Sequence, residues 1–391
     1  MSRRALFVSY GGGHIGMVLP VIRELEALMP GVQCTLLALT TGYLKAKAIR
    51  TNALGYKDFL HLVDGDAARQ WGHRLSDGNT SPDVPLEETI AYMGINYLDL
   101  IAQFGEAGAA ERYRDQGRYG FQPINFMRKV LTALGLDSDT YVVHESKPDW
   151  TCVISEGVRQ RLIARGFPAR GVVVTGNPAF DGLYDPSNHA QAQRFLAERG
   201  WTGLRPILFA GHWEPVAHPA TTVPVGQALP REIEAVLRQY IQRRLDLALI
   251  VRYHPSDWNQ YPRLPDEPRI HFSEPPKEPI HPLILASAVV VVQTSTVGLE
   301  SAVGGRPVIS VENSPAAYVW FSLAQLGVSS PAPTPSDLPA VVDAVLSGSI
   351  THAGPSYCGD GGAATRVAGV VRNALDSVGR LPSLPLPVVH N

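Results

Sequence analysis

His14 lies in a glycine turn, Gly11–Gly16, that directly follows the short apolar run Arg4–Tyr10. An imidazole at such a turn can act as a base or donate a hydrogen bond to a phosphate. Glycines let a backbone approach a ligand closely, and the N-terminus of a following helix favours an anion. We therefore predict Gly12 and Gly13 as ligand-binding positions and His14 as the catalytic base or its helper. The alternative is a histidine that only caps the helix.

Two turns in the second half of the chain carry further groups that could do chemistry. The letters GHWEP follow the predicted strand Ile207–Ala210 and bring His212 and Glu214 to its carboxyl end. The letters RYHP follow the next clear strand and carry Arg252 and His254. We predict that His212 and Glu214 face a cleft as catalytic residues, and that Arg252 and His254 meet a phosphate.

A third turn combines hydroxyl groups with an acid. The letters QTSTVGLE follow a run of valines and contain Thr294, Ser295, Thr296 and, one helical turn later, Glu300. Hydroxyls and amides at a helix N-terminus form an anion site, so we predict a phosphate loop here. Glu300 lies on a side of the helix able to reach a ribose diol. The alternative is an N-cap hydroxyl followed by a solvated glutamate.

Alternating apolar runs and amphipathic segments must position these turns. The predicted strands are Arg4–Tyr10, Cys34–Leu39, Thr151–Ser155, Val172–Thr175, Ile207–Ala210, Leu247–Val251, Ile270–Phe272, Ala288–Val292 and Val308–Val311. The predicted helices are Val18–Leu28, Leu86–Glu106, Val158–Ala164, Arg231–Arg244, Val297–Val303, Ala316–Gln325, Leu338–Leu346 and Ala363–Val378. This alternation predicts an α/β protein with two doubly wound, Rossmann-like domains, whose ligand crevice lies at the carboxyl ends of the strands.

The length of 391 residues suits two domains. We predict an N-terminal acceptor and catalytic domain over residues 1–185, with an irregular insert at 56–138. A C-terminal domain over residues 186–378 binds the nucleotide, and a proline-bearing tail covers 379–391. The insert offers alternative catalytic bases: Asp64, Asp66, His73, Glu87, Glu88 and Glu106. Each of these is individually typical of a solvated surface residue.

Composition excludes several classes of function. The formal net charge of −2 argues against non-specific binding of nucleic acid. Three scattered cysteines suggest reduced thiols without a zinc site, and we predict no metal. No apolar run has the length of a membrane helix and the N-terminus lacks a secretory pattern, so we predict a cytoplasmic protein that could touch a membrane peripherally. The 36 glycines and 32 prolines predict many shaped loops.

The second half of the chain resembles the sugar-nucleotide domain of the GT-B superfamily, and especially UDP-N-acetylglucosamine 2-epimerases. The matching segments are VVVTGNPAFDGL, ILFAGHWEP, YHP, VVVQTSTVGLESAVGGRPVIS and GDGGAATRVAGVV. The first half matches only through SYGGGHIGMVLPVIREL, and that turn is more similar to nucleotide-sugar glycosyltransferases. The resemblance implies two Rossmann-like domains facing a cleft, a nucleotide sugar as substrate, most simply UDP-linked, and no separate cofactor.

The same resemblance implies roles for individual residues. The segment Thr294–Thr296 would bind the diphosphate and Glu300 the ribose. The loop with Phe272 would hold the base by backbone contacts, and His212 would lie near the phosphates. The chain departs from the epimerase pattern at Thr296 and the following valine, where the family has a glycine pair, and it has no counterpart of the family's catalytic acids.

These departures set the functional prediction. We predict a GT-B glycosyltransferase that moves a sugar from a nucleotide sugar to a glycan or small-molecule acceptor, in surface glycan biosynthesis. Its base in the first domain would deprotonate the acceptor, while the second domain stabilises the leaving diphosphate. The alternative is a UDP-N-acetylglucosamine 2-epimerase-like enzyme, and a third is a sugar-nucleotide sensor that keeps Glu300 and the phosphate loop but lacks a base.

Overall fold

The structure is a computed structural model. It describes residues 3–9, 12–38, 46, 49–50, 53, 148–164, 166–213, 226–255, 258–265, 267–311, 313, 322–350 and 359–377. Outside the described residues lie Glu214, the predicted insert at 56–138 with its helix and all six alternative bases, and the tail at 379–391.

The chain begins with a strand–helix–strand unit. Strand β1 (Arg4–Ser9) leads into helix α1 (Gly12–Leu28), and β2 (Gln33–Ala38) pairs parallel to β1 in register. Helix α1 begins six residues before the predicted start at Val18, because Gly12 and Gly13 are already helical instead of forming an open turn. Buried residues of α1, including Ile15 and Ile22, form a core cluster with β2.

A second parallel pair follows the undescribed stretch. Its elements are β3 (Thr151–Val153), α2 (Glu156–Ala164) and β4 (Val172–Val174). The chain then forms a 3₁₀ segment, Pro178–Tyr184, whose N-cap Asn177 accepts a hydrogen bond from the amide of Ala179. Helix α3 (Pro186–Glu198) comes next and was not predicted. Its N-cap is Asp185, whose carboxylate accepts a hydrogen bond from the amide of Ser187.

The C-terminal half is built on a six-stranded parallel sheet. Its strands are β5 (Arg205–Gly211), β6 (Leu247–Tyr253), β7 (Ile270–Phe272), β8 (Val289–Val292), β9 (Val308–Val311) and β10 (Ser330–Ala332). Their order is β10-β9-β8-β5-β6-β7, so the chain winds outward from β5 in one direction and then returns to β5 to wind in the other. This is the strand order of a doubly wound Rossmann domain.

Helices cover both faces of this sheet. Helices α4 (Ala228–Arg243) and α7 (Leu338–Leu346) pack on one face. Helices α3, α5 (Ile280–Ala286) and α6 (Thr296–Val303) pack on the other. Strands β6, β8 and β9 are therefore buried along their whole lengths, which explains why they are continuous apolar runs without alternation.

Besides α3, the sequence predictions missed two elements of this half, and the described part of one predicted helix is not helical. Helix α5 and strand β10 were not predicted, because both are too short to show a clear period. Helix Ala316–Gln325 was predicted, but its described end, residues 322–325, forms turns. All five strands that were predicted here are confirmed, with ends that differ by no more than two residues.

The helix α8 (Ala363–Ser377) returns to the N-terminal unit. Ala364 and Ala368 are buried against α1 in the core cluster that α1 forms with β2. The Asp181 carboxylate caps α8, because its two oxygens accept hydrogen bonds from the amides of Ala363 at 3.0 Å and Ala364 at 2.7 Å. An aspartate at this position would be expected to cap the helix that follows it in sequence. In fact Asp185 does so, and Asp181 caps a helix that begins 182 residues later.

Candidate functional site

The strand order reverses between β5 and β8, and two predicted site residues meet at that position. His212 follows the carboxyl end of β5, and Thr294 follows the carboxyl end of β8. The imidazole Nε2 of His212 lies 3.3 Å from the amide nitrogen of Thr294 and 3.4 Å from its hydroxyl oxygen. In open α/β sheets the crevice at such a reversal is where ligands bind.

Buried hydrogen bonds fix the orientation of His212. Its backbone N–H donates to the side-chain oxygen of Gln293 at 3.1 Å, and Gln293 is fully buried. Its Nδ1 lies 3.0 Å from the carbonyl of Trp213. Because that carbonyl only accepts, Nδ1 carries the proton and Nε2 is the atom that can accept from Thr294. The imidazole is therefore held as one tautomer at the mouth of the sheet.

The phosphate loop predicted from the sequence is a capped helix N-terminus. Ser295 is the N-cap of α6, and its hydroxyl accepts a hydrogen bond from the amide of Val297 at 3.2 Å. Ser295 is thus the N-cap residue that the sequence analysis gave as the alternative, and its hydroxyl caps the helix. Thr296 opens the helix and is exposed. The positive end of the α6 dipole therefore points to the place where β8 and β5 end.

Arg252, predicted to bind a phosphate, is instead engaged within the protein. It is 7% exposed, and its Nη1 donates to the Ser273 hydroxyl at 2.8 Å and to the Glu278 carbonyl at 2.7 Å. Burial lowers the pKa of Arg252 to about 10, although the carboxylates of Glu278 and Glu300 oppose that shift. The guanidinium thus joins both ends of the segment 273–278 beside β6.

Phe272 has different surroundings from those predicted, whereas the phosphate-binding role of His254 stays a prediction. Phe272 is the last residue of β7 rather than part of a loop, and its 2% exposed ring packs against Tyr253 in the core. Any contact of Phe272 with a ligand would have to be made by its backbone. His254 is exposed after β6, and its backbone N–H donates to the Gly211 carbonyl at 2.9 Å, which ties the ends of β5 and β6 together.

Glu300 is paired with a histidine that the sequence analysis did not single out. Its Oε1 lies 3.1 Å from Nε2 of His281, which comes from α5. The side chains are 13% and 18% exposed, respectively. Glu300 follows Thr296 by four residues, so both lie on the same face of α6. The alternative of a solvated Glu300 is therefore wrong, because the carboxylate is mostly buried and is held by a second element.

A second cluster of charges lies beside Arg252. The Glu278 carboxylate accepts hydrogen bonds from Arg199 Nη2 at 3.2 Å and from His271 Nε2 at 3.0 Å. The Arg199 guanidinium also lies 3.8 Å from the centre of the Phe195 ring. Burial alone would raise the pKa of Glu278. Hydrogen bonds from His271 and Ser273, together with the charges of His271 and Arg199, lower it overall. The cluster anchors the segment that Arg252 spans.

His14 lies in the first turn of α1 and is exposed. Partial burial of its ring lowers its pKa below 6.5, so the imidazole is neutral at neutral pH and can accept a proton. Gly12 and Gly13 open the same helix. Among the described residues no three His, Cys, Asp or Glu side chains are grouped to hold a metal ion, and no described helix has the length and apolar character needed to cross a membrane.

Comparison with known proteins finds similarity to a family of sugar-nucleotide enzymes over part of the chain. The family model for UDP-N-acetylglucosamine 2-epimerase matches residues 143–328. This segment includes His212, the QTSTVGLE turn and Glu300. The resemblance seen in the sequence is thereby confirmed for this part of the chain. No curated protein has a sequence that matches the chain significantly.

Solved structures share the fold over nearly the whole chain. A co-structure of S. aureus MnaA with UDP has a TM-score of 0.54 at 14% identity and covers 97% of this chain and 99% of its own. The UDP-GlcNAc 2-epimerase from Methanocaldococcus jannaschii, in complex with UDP-GlcNAc and UDP, has a TM-score of 0.53 at 14% identity and covers 95% and 99%. The wall teichoic acid polymerase TagF has a TM-score of 0.51 at 11% identity and covers 97% and 90%. The predicted two-domain α/β fold of GT-B type is confirmed.

Proposed function

We propose that this protein is an enzyme that acts on a UDP-linked N-acetylhexosamine. A 2-epimerase-like reaction is the first of two candidate activities. One observation carries the proposal. The segment that matches the 2-epimerase family brings His212 and Thr294 together at the reversal of strand order, in front of the α6 N-terminus. Sequence features alone favoured a glycosyltransferase, and the comparisons support the epimerase alternative better.

The diphosphate would bind between His212 and the start of α6. The contacts of His212 Nε2 with Thr294, at 3.3 and 3.4 Å, are long for hydrogen bonds to nitrogen and hydroxyl. A phosphate oxygen can take the place of Nε2 and accept hydrogen bonds from both the amide and the hydroxyl of Thr294. The α6 dipole would favour the negative charge there. Glu300, one turn further along α6, would accept hydrogen bonds from the ribose diol.

The acid–base groups for the sugar would come from the first half of the chain. Inversion at C2 requires that the bond between C2 and its hydrogen is broken and remade. A side chain that takes up a proton and returns it can catalyse both steps. His14 is the candidate among the described residues, because its lowered pKa keeps the imidazole neutral and able to accept a proton. Glu214 and the acids of the insert remain predictions for the same role.

A glycosyltransferase is the second candidate. It is favoured by the glycine–histidine turn that opens α1, and by the likeness to the polymerase TagF over 97% of this chain. In that case the same site would stabilise the leaving UDP, and His14 would deprotonate an acceptor hydroxyl.

A single assay separates the two candidates. The full chain is incubated with UDP-GlcNAc in D₂O without an acceptor and followed by ¹H NMR. An epimerase forms the 2-epimer, free or UDP-linked, and replaces the hydrogen at C2 with deuterium. Loss of the C2 proton signal would support the first proposal, and His14→Gln should slow it at least tenfold. An unchanged sugar, together with UDP release only after acceptors are added, would favour the transferase and overturn the epimerase.

A binding measurement tests the placement of the ribose. We expect Glu300→Ala to weaken UDP binding about tenfold or more, because a charge-assisted hydrogen bond contributes about 1.5–3 kcal/mol. Thr294→Val should weaken UDP and UDP-GlcNAc to the same degree, because the phosphates are common to both. Calorimetric titration measures these affinities. Unchanged affinity in Glu300→Ala would show that the ribose lies elsewhere.

A further inference from the structure

We infer that His281 is a positioning residue for the ribose site and that Gly182 makes room for it. The inference rests on the proposed function, because it assigns a role to a residue that acts through Glu300. His281 lies on α5 and Glu300 on α6, so their contact joins two elements that the chain connects only through β8.

The His281–Glu300 contact fixes one carboxylate oxygen. An ionised carboxylate only accepts hydrogen bonds, so the imidazole must donate through Nε2–H to Oε1 at 3.1 Å. Both side chains are mostly buried, which strengthens the bond relative to one in water. A glutamate has three rotatable side-chain bonds, and a bond to one oxygen removes much of that freedom. The carboxylate is then already oriented when a ligand arrives, so less entropy is lost on binding.

The 3₁₀ segment Pro178–Tyr184 supports the imidazole from the other side. A Cβ atom added to Gly182 would lie 2.8 Å from Cε1 of His281 and closer still to Nδ1. The Gly182 carbonyl accepts a hydrogen bond from Asn188 Nδ2 at 2.7 Å, which anchors the backbone at this point. The backbone therefore cannot easily retreat, and a side chain at position 182 would displace the histidine ring.

Arg252 supplies a reason why the pairing matters. The Glu300 carboxylate acts electrostatically on the buried guanidinium of Arg252 and partly offsets the lowering of its pKa by burial. Without His281, that electrostatic attraction would act on the carboxylate with no opposing hydrogen bond from the imidazole. It would draw Glu300 toward the protein interior and away from the face of α6 that carries Thr296. His281 thus holds the acid on the ligand side.

The test compares ligands that differ only in the ribose. Wild type, His281→Ala, His281→Gln and Gly182→Ala are titrated with UDP and with 2′-deoxy-UDP. In the wild type we expect UDP to bind at least tenfold more tightly than 2′-deoxy-UDP. His281→Ala should reduce that ratio to below threefold by weakening UDP, with little change for the deoxy ligand. His281→Gln, whose amide nitrogen can occupy the place of Nε2, should restore most of the ratio.

Gly182→Ala provides the independent variant, since it displaces the ring without removing it. We expect Gly182→Ala to reduce the ratio of UDP affinity to 2′-deoxy-UDP affinity to below threefold as well. The double variant Gly182→Ala/His281→Ala should show no further reduction of that ratio. The matched control is Gly203→Ala, where an added Cβ meets no atom within 4 Å. Thermal unfolding of each variant separates a general loss of folding from a change in ligand discrimination.

The possible failures are distinguishable. A wild type that binds neither nucleotide overturns the proposed function itself. A wild type that discriminates by the 2′-hydroxyl, with His281→Ala and Gly182→Ala keeping the full ratio, overturns only the role of His281. A ratio lost equally in His281→Ala and His281→Gln, with both proteins fully folded, would contradict positioning through the Nε2 hydrogen bond.

Discussion

Several single residues of this protein make interactions that could not be predicted from the sequence, and Glu278 is the clearest example. It lies in a loop of prolines and charges, where a solvated side chain is the usual expectation. Its carboxylate instead binds Arg199 and His271, while its carbonyl accepts from Arg252. The partners lie up to 79 residues away in the chain, so no local pattern could have paired them.

Glu278 leads to a prediction of pH dependence. Its folded-state pKa lies below the ordinary 4.5, so the unfolded state binds the proton more readily. The stability that this carboxylate contributes is therefore complete above pH 4.5 and is lost as the pH falls through the folded pKa. We expect the unfolding free energy of the wild type to fall more steeply between pH 5 and 3 than that of Glu278→Gln.

Urea denaturation at several pH values measures that difference. At neutral pH Glu278→Gln should be less stable by about 1–3 kcal/mol, because it removes a charged partner of Arg199 and His271. Glu232→Gln removes the same charge from an exposed position of α4 and is the control. Parallel pH profiles for the wild type and Glu278→Gln would contradict the prediction.

The sequence predicted which turns would approach the site better than it predicted what each side chain does there. His212 and Thr294 could be brought together from sequence, since both follow strands of one parallel sheet. Arg252 lies near the end of β6 and Phe272 ends β7, yet both side chains face the interior. Only the three-dimensional packing around a strand end decides whether its side chains face a ligand or the core. His281 was missed for the same reason, because its partner lies on another helix.

At the scale of elements, long apolar strands were predictable and short peripheral elements were not. Strands β6, β8 and β9 are uniformly buried and appear as unbroken apolar runs. Helix α5 is apolar apart from His281 and merges in sequence with β8, because only Ser287 and Ala288 separate them. Periodicity cannot divide such a run into a helix and a strand.

The long-range cap of α8 yields a prediction at this scale. Asp181→Ala leaves two amides of the first turn of α8 without their acceptor, so we expect a loss of about 1–2 kcal/mol in unfolding free energy. Asp181→Asn keeps one acceptor oxygen and should lose less. Hydrogen exchange of the α8 amides should accelerate in Asp181→Ala. Asp185→Ala, which uncaps α3 instead, should leave exchange in α8 unchanged.

At the scale of the whole molecule, α8 connects the two halves of the chain. It follows the C-terminal sheet in sequence but packs on α1. Thr365 donates to Glu24 at 2.9 Å, Arg366 donates to the Thr175 carbonyl at 2.8 Å, and Arg3 pairs with Asp376. The proposed boundary near residue 185 remains a prediction, and α8 shares its core cluster with the N-terminal unit.

A charge placed in that contact should destabilise the protein strongly. Ala368 is fully buried against α1, so Ala368→Asp buries a carboxylate and should cost about 3 kcal/mol or more. Asn373→Asp adds the same charge at an exposed position of the same helix and should change stability by less than about 0.5 kcal/mol. Chemical denaturation compares them, and equal stabilities would show that α8 does not hold α1 in solution.

The contact between α1 and α8 also has a consequence in time. Thr365 and Glu24, which are hydrogen-bonded, lie 341 residues apart. At a synthesis rate of about 5–20 residues per second, a ribosome needs roughly 20–70 s to travel between them. Throughout that interval the apolar face of α1 on the nascent chain has no α8 to cover it. Helix α1, which is synthesised before the other described helices, is therefore among the last of them to reach its native packing.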